Sequence, residues 1–207
     1  MVTGERLFTF AIVADTHVTE EEAVAIGGYD VDTVKLSTSR SAYVVREINR
    51  LAPDFVVHLG DITHPEPGTA AYEDSAARFH SVYEGLDCPL YLVAGNHDIG
   101  EKAFPGEPLS PQQAKRTVND DMIAEYEDHF QAQYYSFEHE DCLFVIINGM
   151  IVNSGLPCEE QQRQWLETLL EANSGRRVFM FSHYPPYLSR ADETGHYDAT
   201  DEPGRDR

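Results

Sequence analysis

Side chains that can bind a divalent cation stand at the ends of four apolar runs in this sequence. Carboxylate and amide oxygens together with imidazole nitrogens suit Mn, Fe, Zn or Co and do not choose among these metals. In an open α/β sheet, the residues that follow the strands converge on one crevice at the carboxyl edge. The pattern therefore predicts a metal-binding crevice. The side chains placed in this way are Asp15, His17, Asp61, Asn96, His97 and His183.

Each of these signals also has a plainer interpretation when it is taken alone. An Asp after a strand is more often a turn or a helix cap, and Gly60-Asp61 is ordinary turn chemistry. His183 follows an apolar strand and could equally be a buried core histidine. In extended geometry, Asp15 and His17 would project to the same side and could share one cation. Gly95-Asn96-His97-Asp98 is the most specific string, because a hairpin turn would not need a histidine.

The elements that must position these residues alternate between strand and helix. Short apolar runs rich in β-branched and aromatic residues predict strands, and apolar residues at helical spacing predict the helices between them. A hairpin in the second half indicates a second or mixed sheet. The predicted strands are 7–14, 54–60, 89–95, 134–137, 142–147 and 177–181, and the predicted helices are 37–51, 70–83, 120–130 and 159–172.

The order of the motifs resembles the calcineurin-like metallophosphoesterase superfamily. Asp-x-His, Gly-Asp, Gly-Asn-His-Asp and a later strand-terminal His occur in that order, and they run from Asp15 to His183. The resemblance implies an α/β fold of two packed mixed β-sheets flanked by helices, a four-layer αββα sandwich, in a single domain over 1–207. It also implies a phosphatase or phosphodiesterase that uses two divalent metal ions and a metal-bridging hydroxide as the nucleophile.

The resemblance assigns a role to each matched residue. His97 resembles the acid that protonates the leaving group, and Asp98 resembles the residue that orients or polarises His97. The physical logic agrees, since two cations neutralise phosphoryl oxygens while an imidazolium protonates the departing alkoxide. The implied metal ligands are Asp15 and His17 on the first ion, Asn96 and His183 on the second ion, and Asp61 as the bridging carboxylate.

The sequence departs from the family pattern after His183. The family's Gly-His-x-His motif supplies one further histidine to each metal, and no such string follows here. The nearest string, Gly195-His196-Tyr197-Asp198, has no strand before it and has Asp in place of the second His, so we expect a loop. We therefore expect a domain that is truncated at its C-terminus. Two alternatives stay open: a non-catalytic interaction module with an incomplete metal site, and an enzyme that another chain's histidines complete.

The composition excludes several classes of protein. Thirty-six acidic and fifteen basic side chains give a formal charge of −21, which repels a phosphate backbone and excludes non-specific nucleic-acid binding. No apolar run approaches the roughly 18 residues of a membrane helix, so we expect no membrane partner. Three cysteines without metal or redox spacing favour free thiols and a cytoplasmic location.

The expected partner is therefore a phosphate-ester substrate. The loops that would select it are 18–36, 99–118 and 184–207, and none of them carries a recognisable recognition motif. A sheet that lacks its last strands would expose an apolar edge, which predicts self-association. The acid-rich surface, with only three lysines, is one that a high-salt environment would screen.

Overall fold

Six strands form two three-stranded sheets in the computed structural model, which describes residues 4–19, 35–103, 110–193, 196 and 199–201. The first sheet has the order β1-β2-β3 and is parallel throughout. The second has the order β4-β5-β6, with β4 antiparallel to β5 and β5 parallel to β6. The strands are β1 (Phe10–Val13), β2 (Phe55–His58), β3 (Leu90–Leu92), β4 (Tyr135–His139), β5 (Cys142–Ile146) and β6 (Arg177–Phe181).

Helices flank both sheets, and polar side chains define several of their starts. Thr69 caps the second helix by accepting a hydrogen bond from the Tyr72 amide, and Asn119 caps the fifth by accepting one from the Met122 amide. A 3-10 turn covers Gly149–Ile151. The helices are α1 (Ser37–Leu51), α2 (Ala70–Tyr83), α3 (Asn96–Ile99), α4 (Pro111–Arg116), α5 (Asp120–His129) and α6 (Pro157–Ala172).

Aromatic rings fill the space between the two sheets. Phe55 on β2 stacks on Phe10 with ring centroids 5.1 Å apart, and it meets Phe144 of the second sheet edge-on at 5.0 Å. Tyr91 and Phe137 stack across the sheets at 3.5 Å. These contacts hold the sheets face to face. The end of β6 lies beside the end of β2, since Nδ1 of His183 is 2.8 Å from the Leu59 carbonyl oxygen.

A second core lies between the first sheet and its helices. Val45 from α1 and Phe79 and Tyr83 from α2 are buried there together with Leu92 and Ala94 around the end of β3. On the second sheet, the Trp165 ring of α6 lies 5.0 Å from the Tyr134 ring beside β4. The expectation of two packed sheets flanked by helices is confirmed, with the second sheet mixed and the first parallel.

The observed bounds match the predicted elements closely, with informative differences. The helices at 37–51 and 70–83 and the strand at 177–181 have the predicted bounds. Leu51, the last residue of α1, is 69% exposed, and Ala52 after it adopts a left-handed conformation that ends the helix. α4 forms inside the predicted loop 99–118, since Ser110 and Gln113 build a capping box around Pro111.

The described part of the chain contains no helix that is both long enough and apolar enough to cross a membrane. All three cysteines are free thiols, and Cys142 is buried on β5.

Candidate metal centre

The loops that follow β1 and β2 run side by side beyond the strand ends. The Asp15 amide donates to the Gly60 carbonyl at 3.0 Å, and the His17 amide donates to the Asp61 carbonyl at 2.9 Å. Asp15, His17 and Asp61 have φ angles of 54°, 44° and 50°, a left-handed conformation that is costly for residues other than glycine. The extended geometry expected for Asp15 and His17 is therefore wrong. The structure nevertheless brings together one ligand atom from each of these three residues, all within 4.8 Å of one another.

Two glycines allow the loops after β2 and β3 to touch. A Cβ added to Gly95 would lie 2.3 Å from both the amide nitrogen and Oδ1 of Asp61. A Cβ added to Gly60 would lie 2.7 Å from the Gly95 nitrogen and 2.9 Å from Nδ1 of His183. Because real Cβ atoms do not approach so closely, both positions need glycine to place Asp61 against the third strand end and His183.

The Asp61 carboxylate stands at the centre of this arrangement. Its Oδ2 lies 3.5 Å from Nε2 of His17, and its Oδ1 lies 3.6 Å from Nε2 of His183. Oδ1 also accepts a hydrogen bond of 3.0 Å from the His97 amide. Each carboxylate oxygen therefore faces an imidazole from a different strand end, the arrangement of a carboxylate that can serve two cations.

The other ring nitrogen of His183 fixes which atom can bind a metal. Nδ1 lies 2.8 Å from the Leu59 carbonyl, which can only accept, so Nδ1 carries a proton and Nε2 of the neutral ring presents a lone pair. That Nε2 is 3.2 Å from Oδ1 of Asn96. Three lone-pair atoms, from His183, Asn96 and Asp61, thus converge.

These separations fit a shared cation. Two atoms bound to the same ion at about 2.1 Å lie about 3 Å apart when they are neighbouring ligands. The observed separations around His183, Asn96 and Asp61 are 3.2 and 3.6 Å, and that between His17 and Asp61 is 3.5 Å. A cation would also relieve the repulsion between facing lone pairs, so the donor set fits a metal centre.

Burial sets the protonation of several groups in the centre. It lowers the pKa of His17, although the Asp61 charge opposes this, and a neutral imidazole is the form that ligates metal. Burial raises the pKa of Asp15, and His183 opposes that shift. Burial and the Asp61 charge raise the pKa of Asp98 to about 7.

The His97 imidazole is oriented by the main chain of the loop after β2. Its Nδ1 lies 2.6 Å from the His64 carbonyl oxygen, which can only accept, so Nδ1 carries a proton and donates it to that oxygen. The His64 ring lies over His97 at 5.4 Å between centroids, and burial lowers the pKa of His64 to about 4. His17, His64 and His97 also place one ring nitrogen each within 4.8 Å of the other two.

Asp98 makes contacts that differ from those expected of it. The resemblance implies that Asp98 orients His97, but in the structure the His64 carbonyl holds Nδ1 of that ring. The Asp98 carboxylate instead accepts hydrogen bonds from the amides of Gly95, Ile62 and Thr63 at 2.9, 2.8 and 3.1 Å. It therefore ties the loop after β2 to the loop after β3. Motif spacing could not predict the contact that orients His97, because the acceptor is a backbone atom 33 residues away.

Two other residues were missed as parts of the centre by sequence reasoning. His58 lies within the predicted strand 54–60; it is buried, and it also hydrogen-bonds Thr16, which lies between two predicted ligands. Glu101 carried no motif signal, yet it accepts a hydrogen bond from Asn96. Their positions, three residues before Asp61 and five after Asn96, are the only sequence signal that pointed toward the site.

The weak Gly195-His196-Tyr197-Asp198 string lies mostly outside the described residues. His196 is described and exposed, and its carbonyl oxygen accepts a hydrogen bond of 2.8 Å from Nζ of the buried Lys102. Much of the three expected substrate-selecting loops, including 20–34 and 104–109, also lies outside the described residues. The expectation that this string supplies no metal ligand stays a prediction.

Comparison of the sequence with known protein families assigns the chain to one of them. The family model described as calcineurin-like phosphoesterase matches residues 8–205. The chain belongs to the calcineurin-like phosphoesterase family.

Named relatives of this calcineurin-like phosphoesterase include phosphatases and phosphodiesterases. It is 28% identical over 202 residues to the serine/threonine-protein phosphatase CPPED1 of Danio rerio, a match that covers 92% of this chain and 60% of that protein. It is 30% identical over 187 residues to a Rhodopseudomonas palustris protein named "Probable cyclic nucleotide phosphodiesterase", covering 86% and 57%. The chain thus spans less than two thirds of the length of these relatives.

Solved structures share the fold of this chain. A dimetal phosphatase from Danio rerio superposes with a TM-score of 0.55 at 17% identity, covering 88% of this chain and 71% of that one. A purple acid phosphatase from yellow lupin seeds gives a TM-score of 0.54 at 16% identity, covering 95% and 34%. At these identities the similarity establishes the common architecture of two sheets flanked by helices.

Proposed function

We propose that this chain is a metal-dependent phosphoric-ester hydrolase, a phosphatase or phosphodiesterase, with a dinuclear centre. Asp15 and His17 would hold one ion, Asn96 and His183 the other, and Asp61 both. The observation that carries the proposal is the Asp61 carboxylate, whose two oxygens lie 3.5 and 3.6 Å from imidazole nitrogens of two different strand ends. The family match over residues 8–205 and the named relatives support the same class of reaction.

The chain's own residues supply the proton chemistry. When bound, two divalent cations would activate a water molecule and neutralise the charge on the phosphoryl oxygens. His97 is buried, and its amide is fixed on Asp61 at 3.0 Å. Because its Nδ1 donates to the His64 carbonyl, Nε2 is the ring atom that can deliver a proton to the departing oxygen.

The electrostatics of the whole chain favour a centre that holds cations. A formal charge of −21 opposes the approach of an anionic phosphate ester. Two divalent ions against the carboxylates of Asp15 and Asp61 would leave a net positive centre, which inverts the field where the substrate binds. The relatives are named for a phosphoprotein activity and a cyclic-nucleotide activity, so monoesters and diesters are both reasonable first substrates.

Hydrolysis of p-nitrophenyl phosphate and bis(p-nitrophenyl) phosphate, in Mn²⁺ and in EDTA, tests the proposal. We expect turnover that depends on Mn²⁺ in the wild type and that falls at least about 100-fold in Asp61→Asn, since metal-site changes commonly cost one to two orders of magnitude or more. Asp74→Asn, on the exposed face of α2, removes the same charge and is the matched control.

Two results would count against the proposal. Undiminished Mn²⁺-dependent hydrolysis by Asp61→Asn would remove the bridging carboxylate from the mechanism. Folded wild-type protein that neither binds Mn²⁺ nor hydrolyses either ester would favour the alternative of a non-catalytic interaction module on a phosphoesterase scaffold.

A further inference from the structure

Glu101 contacts the amide of Asn96 from the side opposite to the metal centre. Asn96 begins α3, and Glu101 follows the end of that short helix; the two residues are 8% and 9% exposed. Nδ2 of Asn96 donates a hydrogen bond of 3.2 Å to Oε1 of Glu101. Oδ1 of the same amide lies 3.2 Å from Nε2 of His183. The two ends of the Asn96 side chain thus have different partners.

The chemistry of the Glu101 carboxylate favours one orientation of the amide. The Glu101 carboxylate can only accept, so it selects the NH₂ group of Asn96. A flipped amide would set its oxygen against that carboxylate and turn its NH₂ group toward the atoms that would hold the cation. We propose that Glu101 is the positioning residue that keeps the Asn96 oxygen directed at the second metal. This inference rests on the dinuclear centre proposed above.

Main-chain bonds hold position 101 independently of its side chain. The Glu101 amide donates to the Arg116 carbonyl at 2.6 Å, and the Glu101 carbonyl accepts from the Val118 amide at 2.8 Å. Arg116 also places Nη2 3.5 Å from Oε1 of Glu101. A substitution at 101 can keep the main-chain bridge while it removes the carboxylate from both Asn96 and Arg116.

Mn²⁺ titration of the full chain, followed by electron paramagnetic resonance of the free ion, tests the consequence for metal binding. Glu101→Leu removes the acceptor, whereas Glu101→Gln keeps an amide oxygen that can accept the same hydrogen bond. We expect Glu101→Leu to weaken one of two Mn²⁺ sites 10- to 100-fold and to spare the other, as loss of a group that orients a ligand typically does. Glu101→Gln should bind close to wild type.

A control variant tests whether loss of any one carboxylate weakens Mn²⁺ binding. Glu138→Leu removes one carboxylate that pairs with Arg176 at 2.8 Å on the second sheet, and it should leave both Mn²⁺ sites unchanged. If Glu101→Gln is as weak as Glu101→Leu, the carboxylate acts through its charge and the proposal is overturned. Wild-type affinity in Glu101→Leu would overturn it as well.

A second readout does not depend on the metal. In ¹H–¹⁵N spectra of the EDTA-treated protein, the Asn96 side-chain amide, assigned by its loss in Asn96→Asp, should show one downfield proton in wild type and Glu101→Gln but not in Glu101→Leu. An unchanged Asn96 signal in Glu101→Leu would overturn the proposal. Wild-type protein that binds no Mn²⁺ but shows this pattern would contradict the dinuclear function while supporting the orienting role.

Discussion

One fully buried imidazole joins the first two strand-end loops. Nδ1 of His58 accepts from the Gly60 amide at 3.2 Å, so Nε2 of the neutral ring donates to Oγ1 of Thr16 at 2.8 Å. The Thr16 hydroxyl in turn donates to the Ile62 carbonyl at 3.2 Å. Burial, with smaller contributions from His183 and His17, lowers the pKa of His58 to about 3. These hydrogen bonds therefore require the neutral form of the His58 imidazole.

His58 should make the stability of the fold depend on acid. Its pKa is about 3 in the folded state and near its ordinary 6.5 in the unfolded state, so below pH 6.5 the unfolded chain binds a proton that the folded chain does not. The free energy of unfolding should then fall by up to ~1.4 kcal/mol per pH unit between pH 6.5 and 3. His58→Phe should be less stable at pH 7 and should show a slope smaller by about one proton in urea titrations at several pH values. An equal slope in both proteins would exclude His58 as the source.

At the scale of single residues, the sequence predicts candidate ligands better than the hydrogen bonds that orient the side chains of the centre. Asp61 and His183 could be named as candidate ligands because strand ends and short motifs mark them. The support of His97 by the His64 carbonyl could not, because it joins a side chain to a backbone atom across two loops. The same holds for the contact between Asn96 and Glu101, whose geometry depends on how tightly α3 turns.

At the scale of elements, the centre depends on how closely the strand-end loops approach one another. Asp98 holds two of these loops together through three amide hydrogen bonds, to Gly95, Ile62 and Thr63. Gly60 lies between Gly95 and His183, and it has a φ of 101°. The positions of Asp61 and His183 then depend on contacts that leave no room for a Cβ at Gly60 or Gly95.

Gly60→Ala should therefore damage the centre far more than an equally strained substitution elsewhere. Its Cβ would meet backbone atoms of Gly95 at 2.7 and 2.8 Å, and we expect a loss of at least about 3 kcal/mol in the free energy of unfolding together with weakened Mn²⁺ binding. Gly155→Ala is the matched control, because Gly155 also has a positive φ, of 72°, but has no atom within 4 Å of the added Cβ. That variant should lose only about 1 kcal/mol in urea unfolding. Equal losses would show that backbone strain, and not the close approach, determines the effect.

The spacing of apolar residues predicts most of the helices and strands. It fails where a local cap starts a helix or where a helix face is only partly buried. The helices at 37–51 and 70–83 have clear apolar faces and clear ends, and their bounds agree with the structure. α4 lies inside the predicted loop 99–118, and its Pro111 occupies the first turn of the helix, where proline is tolerated. The apolar face predicted for α6 is only half-buried, and the buried residue of this helix is Gln162, which accepts a hydrogen bond from the Asn148 amide.

At the scale of the whole molecule, negative charges far outnumber positive ones. Thirty-six acidic side chains face fifteen basic ones, and several ion pairs, such as Arg163 with Glu160, lie exposed, where each contributes little. Mutual repulsion therefore destabilises the folded chain in dilute buffer, and salt at molar concentration shortens the range of that repulsion to about 3 Å.

The melting temperature should consequently rise with ionic strength. We expect an increase of roughly 5 °C between dilute buffer and 1 M KCl, which corresponds to a gain of one to two kcal/mol for a chain of this size. EDTA in both samples removes differences in bound metal. Equal melting temperatures would show that the excess of 21 negative charges does not limit stability, and would remove the idea of an adaptation to high salt.

The central claim is that Asp61 joins two cations in one centre, and bound metal per chain measures this most directly. Elemental analysis after equilibrium dialysis against Mn²⁺, on protein of verified intact mass, should give close to two ions per chain for the wild type and for Asp74→Asn. It should give fewer than one for Asp61→Asn, because both ions share that carboxylate. A wild-type chain that retains no metal, or an Asp61→Asn chain that retains two ions, would contradict the account.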